Sequence, residues 1–240
     1  MTLPDADTPE ARGIPTPTIV AMHQGVVVVD KPAGVRADGS DLAGVPDLPS
    51  WLDARDDLPS GTRPAHRLDL QASGLVLCAA APQLRALLGE ALGSGRIEKT
   101  YLALVHGRTR KKGTIRRKLK DNRRKRPLPA VTRYRTLETL GSVSLVAVRI
   151  ETGRKHQIRR HFEGIGHPLV GDTRYRGRRK NGIPGAPTRL WLHARALILP
   201  SPLLGDATAG DLVFEAPLPS ELLDHLTALR DALVPHGSDA

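Results

Sequence analysis

The stretch HRLDLQASGLVLCAAA, residues 66–81, decides how this chain folds and where its chemistry lies. Its second half, residues 75–81, is a continuous apolar run of strand length, typical of a strand that is buried on both faces. Asp69 precedes this run and is separated from it by small residues, Ala-Ser-Gly at 72–74, which are common in tight turns. The stretch therefore predicts an acidic side chain in a turn that leads into a buried strand.

A second dense cluster, TGRKHQIR at residues 152–159, follows about ninety residues after Asp69. An aspartate beside a Ser-Gly turn often does no more than cap the turn through its side chain. Here His66 and Arg67 would add positive charge, which favours the ionised carboxylate, and an ionised aspartate can act as a nucleophile or a base. Arg159 is the natural counter-charge, so the two clusters together predict acid/base or nucleophilic chemistry on a polyanion.

The bulk composition is that of a folded protein of moderate size. The chain has 240 residues, of which 40% are hydrophobic, enough for a sizeable core. No apolar run approaches the ~20 residues of a membrane span, and the acidic, proline-rich start lacks the features of a signal peptide. The only cysteine, Cys78, excludes an internal disulfide and predicts a buried small side chain. We expect a cytoplasmic protein with a flexible tail at residues 1–17.

The net charge of +11 lies in one segment, RTRKKGTIRRKLKDNRRKR at residues 108–126 (the basic block), where twelve lysines and arginines accompany one aspartate. Such a segment attracts phosphate backbones by releasing their counterions. A solvated charge run is the plainer alternative, although ordered segments flank the block. RNA is the favoured partner and DNA the second, while a membrane is disfavoured because the block lacks an interfacial helix face. The candidate phosphate-binding residues are Lys111, Lys112, Arg116, Arg117, Arg123 and Arg124.

Short strands dominate the predicted elements, with a few helices between them. Strands are predicted at 26–29, 74–81, 97–105, 131–137, 142–150 and 190–199, and helices near 51–52 and at 83–92, 156–162 and 221–233. The basic block is expected to form a hairpin around Gly113, with Ile115 and Leu119 as its apolar anchors. Gly93 is expected to end the second helix and Ser220 to cap the last one. Without regular strand–helix alternation, the pattern predicts an α+β domain with a mixed, mostly antiparallel sheet.

Cofactor motifs are missing from the sequence. Three histidines, His156, His161 and His167, lie close together, but no Cys, Asp or Glu at ligand spacing completes a zinc site. No glycine fingerprint for a phosphate or a dinucleotide is present, so no nucleotide cofactor is predicted. Aromatic residues make up only 3% of the chain, and few side chains can therefore stack on a displaced base. The candidates are Tyr101, Tyr134, Tyr175 and Trp191.

Four separated motifs resemble the RluA-type RNA pseudouridine synthases. They are KPAG at 31–34, HRLDLQASG at 66–74, KTYLALV at 99–105 and TGRKHQIRRHFEGIGHPLVG at 152–171. AVTRY at 130–134 and LHA at 192–194 resemble two weaker blocks of the same family. The aspartate motif followed by the TGRxHQIRxH motif is highly specific for this family, and the resemblance extends from about residue 20 to 217.

The resemblance implies roles for individual residues. Asp69 matches the catalytic aspartate, Tyr101 the tyrosine that packs on the target base, and Arg159 the arginine that pairs with the catalytic aspartate. Arg67 matches a residue that helps to occupy the space left by the flipped base. Further residues of these motifs are expected to contact RNA: His66, Arg154 and His156. The family needs neither a metal nor an organic cofactor.

The fold that the resemblance implies is a largely antiparallel mixed sheet with a central basic cleft, in a pseudouridine synthase catalytic domain at residues 18–240 with a basic insertion at 106–130. The expected function is that of an isomerase, an intramolecular transferase, which flips a specific uridine out of ribosomal or transfer RNA and converts it to pseudouridine. The first alternative is a non-catalytic RNA-binding or ribosome-assembly protein. The second is a DNA-binding protein, although no helix-turn-helix or zinc-finger pattern supports it.

Two departures from the family pattern stand out. Ala72 occupies a position where the family usually has threonine, so one local hydrogen bond of the turn is expected to be missing. Thirty residues precede the KPAG motif, so we expect the given sequence to lack the small S4-type RNA-binding domain that larger members of the family carry. We therefore hypothesise that the basic block replaces that domain as the main RNA anchor, and we expect a monomer.

Overall fold

The computed structural model describes residues 16–39, 43–120, 126–176, 183–205, 208 and 210–233. Within this part of the chain there are ten strands, four α-helices and a short 3₁₀ helix at Ser201–Leu204. The strands are β1 Thr18–His23, β2 Val26–Lys31, β3 Arg63–Pro64, β4 Ser73–Ala79, β5 Glu98–His106, β6 Lys112–Arg116, β7 Val131–Leu140, β8 Val143–Ile150, β9 Leu192–Leu199 and β10 Leu212–Glu215. The helices are α1 Leu48–Asp53, α2 Pro82–Ser94, α3 Gln157–Gly164 and α4 Ser220–Asp231.

The chain divides into two compact units, each of which we describe by itself. Unit 1 takes its described residues from Met1–Thr100, Ile150–Gly153 and His193–Pro217. Unit 2 takes its described residues from Tyr101–Arg149, Arg154–Leu192 and Leu218–Ala240. The helix α3 and the basic block therefore belong to unit 2, and the turn that contains Asp69 belongs to unit 1.

Unit 1 is built around β4, whose seven residues are all buried, as the apolar run predicts. Antiparallel pairing joins β1 to β2, β2 to β4, β3 to β4 and β10 to β9. The strands β4 and β9 run parallel, with Ser73 opposite His193 and Gly74 opposite Ala194. Apolar side chains of β2, β4, β9 and β10 pack with Leu88 and Leu92 of α2 into one core. This core fixes the start of β4, directly after the Asp69 turn.

Unit 2 contains β8, which lies between β5 and β7, and the edge strand β6, which pairs antiparallel with β7. Its core surrounds the fully buried Trp191 with apolar residues of β5, β8 and α4. The helix α3 contributes Ile158 and Phe162, both of which are buried. The Phe162 ring packs on Tyr134 of β7 with 5.3 Å between ring centroids. This packing fixes the rotation of α3 about its own axis, and therefore the position of Arg159 within unit 2.

The predicted α+β class with mixed, mostly antiparallel strands is confirmed, whereas the central basic cleft stays a prediction. Three predicted boundaries are wrong. Gly113 lies inside β6 rather than in a turn, because it faces Tyr134, whose ring atoms would lie 2.5 Å from an added Cβ. The helix α2 runs past Gly93 to a left-handed Gly95 at its C-cap, with φ 79°. Ser220 is already helical, and the residue before it, Pro219, makes no side-chain cap.

Three strands, β1, β3 and β10, are absent from the sequence-based prediction. All three are short and none is buried along its whole length, so their apolar pattern is weak. Of the predicted N-terminal tail, only residues 16 and 17 are described, and the rest lies outside the described residues. No helix in the described ranges is long and apolar enough to span a bilayer. Burial raises the pKa of the Cys78 thiol to about 12, as fits the predicted inert core residue.

Gly74→Ala is expected to destabilise the protein by about 3 kcal/mol, from overpacking and a strained backbone. Gly74 has φ 111°, and an added Cβ would overlap the backbone of Ala194 on β9. Chemical denaturation measures the change, with Gly93→Ala as the control. Gly93 is helical and has open space around its Cα, so alanine there should stabilise the protein slightly. Equal stability of the Gly74→Ala variant and the wild type would contradict the tight β4–β9 contact.

Candidate active site

Asp69 lies in the turn that leads into β4, as the sequence predicts. The turn is closed by a hydrogen bond of 3.0 Å from the Ala72 backbone N–H to the Asp69 carbonyl oxygen. The Gly34 N–H donates to the Leu70 carbonyl oxygen at 2.9 Å, which joins the turn to the KPAG segment. Gly34 has φ 87°, a left-handed conformation that favours glycine. The backbone on both sides of Asp69 is therefore fixed by main-chain hydrogen bonds.

The Lys31 side chain stabilises the Asp69 turn through hydrogen bonds to backbone carbonyl groups. Its side chain is fully buried, and its ammonium donates to the carbonyl oxygens of Pro32, Val35 and Ala72, each at 2.8 Å. A buried lysine needs such acceptors, because an unsolvated charge is costly. The KPAG motif thus has a structural function at the turn, and Ala72, where the family usually has threonine, still contributes its carbonyl.

A buried serine–histidine pair closes the other end of the turn. Ser73 and His193 are both fully buried, and Ser73 Oγ lies 2.9 Å from His193 Nδ1. His193 Nε2 lies 3.2 Å from the carbonyl oxygen of Ala216, which can only accept, so Nε2 carries the proton. The second ring nitrogen, Nδ1, shares a hydrogen bond with the Ser73 hydroxyl. This pair locks the first residue of β4 to β9.

His66 is a neutral side chain in this structure. Its Nε2 accepts a hydrogen bond of 3.0 Å from the Leu77 backbone N–H, which an imidazolium could not do. Burial, and then the positive charge of Lys99, lower the His66 pKa from 6.5 to about 3. The expectation that His66 adds positive charge beside Asp69 is therefore wrong. Contact between His66 and RNA stays a prediction.

We expect the His66 ring to remain uncharged at pH 5. Because its folded-state pKa lies below the unfolded value, the unfolded chain binds the proton more tightly between about pH 3 and 6.5. Stability contributed by neutral His66 is thus lost as the pH falls through that window. The measurement is an NMR titration of the imidazole carbons, assigned with a His66→Gln variant. Lys99→Met should raise the His66 pKa, and a midpoint near 6.5 in the wild type would refute the assignment.

Arg67 points away from the interior and forms an ion pair with Asp38. The Nη1–Oδ2 distance is 2.6 Å, and 57% of the Arg67 side chain is exposed. Exposed pairs of this kind contribute ~0–1 kcal/mol, so Arg67 can leave Asp38 at little cost. An exposed, weakly held arginine is compatible with the prediction that Arg67 helps to occupy the space left by a flipped base.

The strand β5 carries Lys99 and Tyr101. The Lys99 ammonium donates to the Leu92 carbonyl oxygen at 2.6 Å, and burial lowers the Lys99 pKa to about 8. Tyr101 is buried, with 7% of its surface exposed. Trp191 is excluded as a stacking residue, because it is fully buried and its Nε1–H donates to His225. Tyr134 packs against Phe162 and, with 9% of its surface exposed, stays a candidate like Tyr101.

Arg159 is held by an aspartate that the sequence analysis did not select. Asp172 binds it in a bidentate pair, with Nε–Oδ2 at 2.7 Å and Nη2–Oδ1 at 2.9 Å. Asp172 Oδ1 also accepts the backbone N–H groups of Arg174 and Tyr175 at 2.9 and 2.8 Å. Burial alone would raise the Asp172 pKa, but the hydrogen bonds from Arg159 and Tyr175 lower it below its usual value. Asp172 is therefore ionised, and it orients the guanidinium.

Tyr175 completes this cluster in unit 2. The Arg159 guanidinium carbon lies 5.0 Å from the centre of the Tyr175 ring, a cation–π distance. The Tyr175 hydroxyl lies 2.9 Å from His156 Nδ1. His156 precedes α3 with φ 53°, so the prediction that it lies on the helix beside Arg159 is wrong. The left-handed backbone turns its ring toward Tyr175 instead.

The helix α3 is tied to β7 by a hydrogen-bonded chain. Gln157 Nε2 donates to the Val131 carbonyl oxygen and to Thr132 Oγ1, both at 3.0 Å, and Thr132 Oγ1 lies 2.9 Å from His161 Nδ1. Gln157 Oε1 accepts the Arg154 backbone N–H at 3.1 Å. These bonds explain why the HQIRRH segment places a glutamine and a histidine on the buried side of the helix that carries Arg159.

The structure describes most of the basic residues that the sequence predicts to bind RNA. Four of them lie at exposed positions of unit 2: Lys111, Lys112, Arg116 and Arg117. Arg123 and Arg124 lie outside the described residues. Arg154 uses its Nε to donate to the Pro129 carbonyl oxygen at 3.2 Å. Arg160 of α3 donates to the Lys120 carbonyl oxygen at 3.0 Å, so the basic block is attached to α3.

The structure thus forms two sets of residues. Unit 1 holds Asp69 with Lys31, His66 and Arg67, and unit 2 holds Tyr101 and the Arg159–Asp172–Tyr175 cluster. In the described ranges, no group of three or more His, Cys, Asp or Glu side chains could hold a metal ion.

Comparison with known proteins identifies the family of this chain. The family model for RNA pseudouridylate synthase matches residues 25–164. A ribosomal large subunit pseudouridine synthase D from Vibrio parahaemolyticus serotype O3:K6 is 33% identical over 95% of this chain and 75% of its own length. A tRNA pseudouridine synthase C from Haemophilus ducreyi is 34% identical over 72% of this chain and 80% of its own length.

A solved structure, human RNA pseudouridylate synthase domain containing 4, has the same fold. It matches with a TM-score of 0.70 and 25% sequence identity over 88% of this chain and 92% of its own length. The resemblance drawn from the four motifs, the predicted pseudouridine synthase fold and the assignment as an isomerase are confirmed by these matches. This chain belongs to the RluA-type RNA pseudouridine synthases.

Proposed function

We propose that this enzyme converts a specific uridine of ribosomal or transfer RNA to pseudouridine, with Asp69 as the catalytic residue. The observation that supports this assignment is the Asp69 turn, in which main-chain hydrogen bonds and the buried Lys31 ammonium fix the backbone on both sides of one carboxylate. The relatives with 33% and 34% identity are named for ribosomal and transfer RNA respectively, so both substrate classes are retained.

The reaction rearranges one nucleotide without adding or removing atoms. The bond between ribose C1′ and uracil N1 breaks, the base turns, and C1′ joins C5; the C5 hydrogen leaves to solvent while N1 gains a proton. A stacked uridine does not expose these atoms, so the nucleotide must be flipped out at a cost of a few kcal/mol. Asp69 either attacks the sugar or removes its 2′ proton. A closed pocket keeps water from capturing the detached base.

Tyr101 and Arg159 have supporting functions in this proposal. Tyr101 packs on the flipped uracil through its ring. Arg159 matches the family arginine that pairs with the catalytic aspartate, and it would keep Asp69 ionised through a charge-assisted hydrogen bond. Arg67 leaves Asp38 and occupies the space of the flipped base. None of these steps calls for a metal or an organic cofactor.

RNA affinity is proposed to come chiefly from the basic block, whose described part lies on unit 2. Phosphate contacts there would offset the cost of flipping the nucleotide. We further propose that the protein acts as a monomer in the cytoplasm.

The proposal is tested with purified protein and total RNA that carries tritium at uracil C5. Formation of the C1′–C5 bond displaces this atom, so pseudouridine formation releases tritium into water. The wild-type protein should release an amount of tritium that corresponds to a limited number of uridine sites in the RNA. The absence of release from ribosomal and transfer RNA alike would overturn the proposed reaction and favour a non-catalytic RNA-binding function.

A further inference from the structure

The hairpin of β6 and β7 has one face that is entirely basic or neutral. Side chains alternate along each strand, and where the two strands pair the exposed set is Lys112, Thr114 and Arg116 from β6 with Arg133 and Arg135 from β7. We call this face the basic ribbon. The described residues of the two strands place no acidic side chain on it, since Glu138 lies on the other face of β7 and pairs with Arg230 at 2.7 Å. Arg133 and Arg135 lie outside the basic block, so composition alone does not reveal this surface.

The strand register concentrates positive charge. Lys112 lies directly opposite Arg135, and Thr114 opposite Arg133. Like charges that face each other across a strand pair destabilise the pair. A polyanion bound along the ribbon would relieve this repulsion, so the charge arrangement fits a surface for anionic partners.

The ribbon is held in place from its buried side. Ile115 is buried, and the Tyr134 ring fits against the space left by Gly113. The chain after β6 is fixed to α3, because His161 Nε2 lies 3.2 Å from the Arg117 carbonyl oxygen and Arg160 donates to that of Lys120. The charges therefore sit on a preorganised scaffold, and binding should require little ordering.

The length of the ribbon favours a nucleic-acid backbone. Lys112 and Arg116 are four residues apart on one strand, a span of about 13 Å, enough for consecutive phosphates of one strand. The only large apolar side chain exposed along the same face of β7 is Leu137, which is too little for insertion into a membrane.

We propose that the basic ribbon is a docking surface for the phosphodiester backbone of the substrate RNA. This inference rests on the proposed function for its partner, and it adds Arg133 and Arg135 to the RNA interface. Contacts to phosphates should be independent of sequence and sensitive to salt.

The test compares two triple variants that remove the same charge. The ribbon variant carries Lys112→Gln, Arg116→Gln and Arg135→Gln. The control carries Arg55→Gln, Arg63→Gln and Arg96→Gln, three exposed arginines in ion pairs of unit 1. Binding of a fluorescein-labelled RNA hairpin with single-stranded flanks is measured by anisotropy between 50 and 300 mM KCl, and thermal unfolding confirms that both variants are folded.

We expect the ribbon variant to bind RNA at least about tenfold more weakly, with a salt slope shallower by about two units, whereas the control stays within about twofold of wild type. A charge-preserving Arg116→Lys/Arg135→Lys variant should bind like wild type. Equal losses in the two triple variants would overturn the proposal, because bulk charge would then explain binding. Displacement of RNA by polyglutamate at equal charge concentration would also overturn it, in favour of an acidic protein partner.

The tritium assay separates this inference from the proposed function. If the wild-type protein binds RNA through the basic ribbon but releases no tritium, the proposed reaction is wrong, and the proposal that the ribbon binds RNA is retained. If the wild-type protein releases tritium and the ribbon variant binds RNA as tightly as wild type does, the ribbon alone is wrong.

Discussion

Asp69→Asn is expected to lower the rate of pseudouridine formation by at least about 1,000-fold, since no other group replaces a lost nucleophile or base. The substitution preserves the size of the side chain and leaves the hydrogen bonds of the turn intact, because those bonds use the Asp69 carbonyl oxygen and its neighbours rather than the carboxylate. RNA affinity should therefore remain within about twofold of wild type. The measurement is single-turnover tritium release with enzyme in excess, together with RNA binding by anisotropy.

The matched control for this variant is Asp53→Asn, an exposed aspartate of unit 1 that pairs with Arg63 at 2.7 Å. It removes the same charge from an exposed ion pair outside the turn, and activity should not change. If Asp69→Asn retained more than about one tenth of the wild-type rate, Asp69 could not be the catalytic residue.

Asp172→Asn is expected to lower the single-turnover rate by about 100-fold or more while RNA affinity is unchanged. Arg159 has 11% of its side chain exposed, and the Asp172 side chain is fully buried, so the substitution removes a buried negative charge that binds a nearly buried guanidinium. Breaking such a pair costs about 3–5 kcal/mol, part of which appears as lost orientation of Arg159. Asp172 acts through Arg159 and is a positioning residue.

A double-mutant cycle distinguishes positioning from a general loss of structure. If Asp172 acts only through Arg159, Asp172→Asn should add little to the defect of Arg159→Lys. If the rate defects of the two single variants multiplied in the double variant, this coupling would be contradicted. Glu221→Gln is the control, because Glu221 pairs with the buried Arg189 of unit 2 at 2.9 Å and should leave the rate unchanged. The Arg159 Nε–H signal in an NMR spectrum reports the pair even if no RNA substrate is found.

Much of the fold was predictable because it depends on local patterns. The apolar run of β4, the alternation of β5 and the glycines of tight turns follow from chain geometry alone. Asp69 in its turn was predictable for the same reason, and the roles of Tyr101 and Arg159 came from the family motifs rather than from local pattern.

The remaining features of the site depend on tertiary environment. Asp172 lies thirteen residues after Arg159, beyond α3 and the turn that follows it, so no helical spacing joins them. The charge of His66 is decided by burial, by Lys99 and by the Leu77 N–H, none of which can be read from the motif. Composition located the basic block, but only the register of β6 and β7 shows which of its side chains share a face with Arg133 and Arg135.

The most direct test of the central claim is a transcriptome-wide map of pseudouridine in cells that carry either the wild-type protein or Asp69→Asn. Carbodiimide-dependent stops of reverse transcription mark each site. We predict at least one uridine, in ribosomal or transfer RNA, that is modified with the wild-type protein and unmodified with the variant at equal protein levels. Identical maps from the two strains would contradict the assignment of Asp69 as the catalyst of pseudouridine formation.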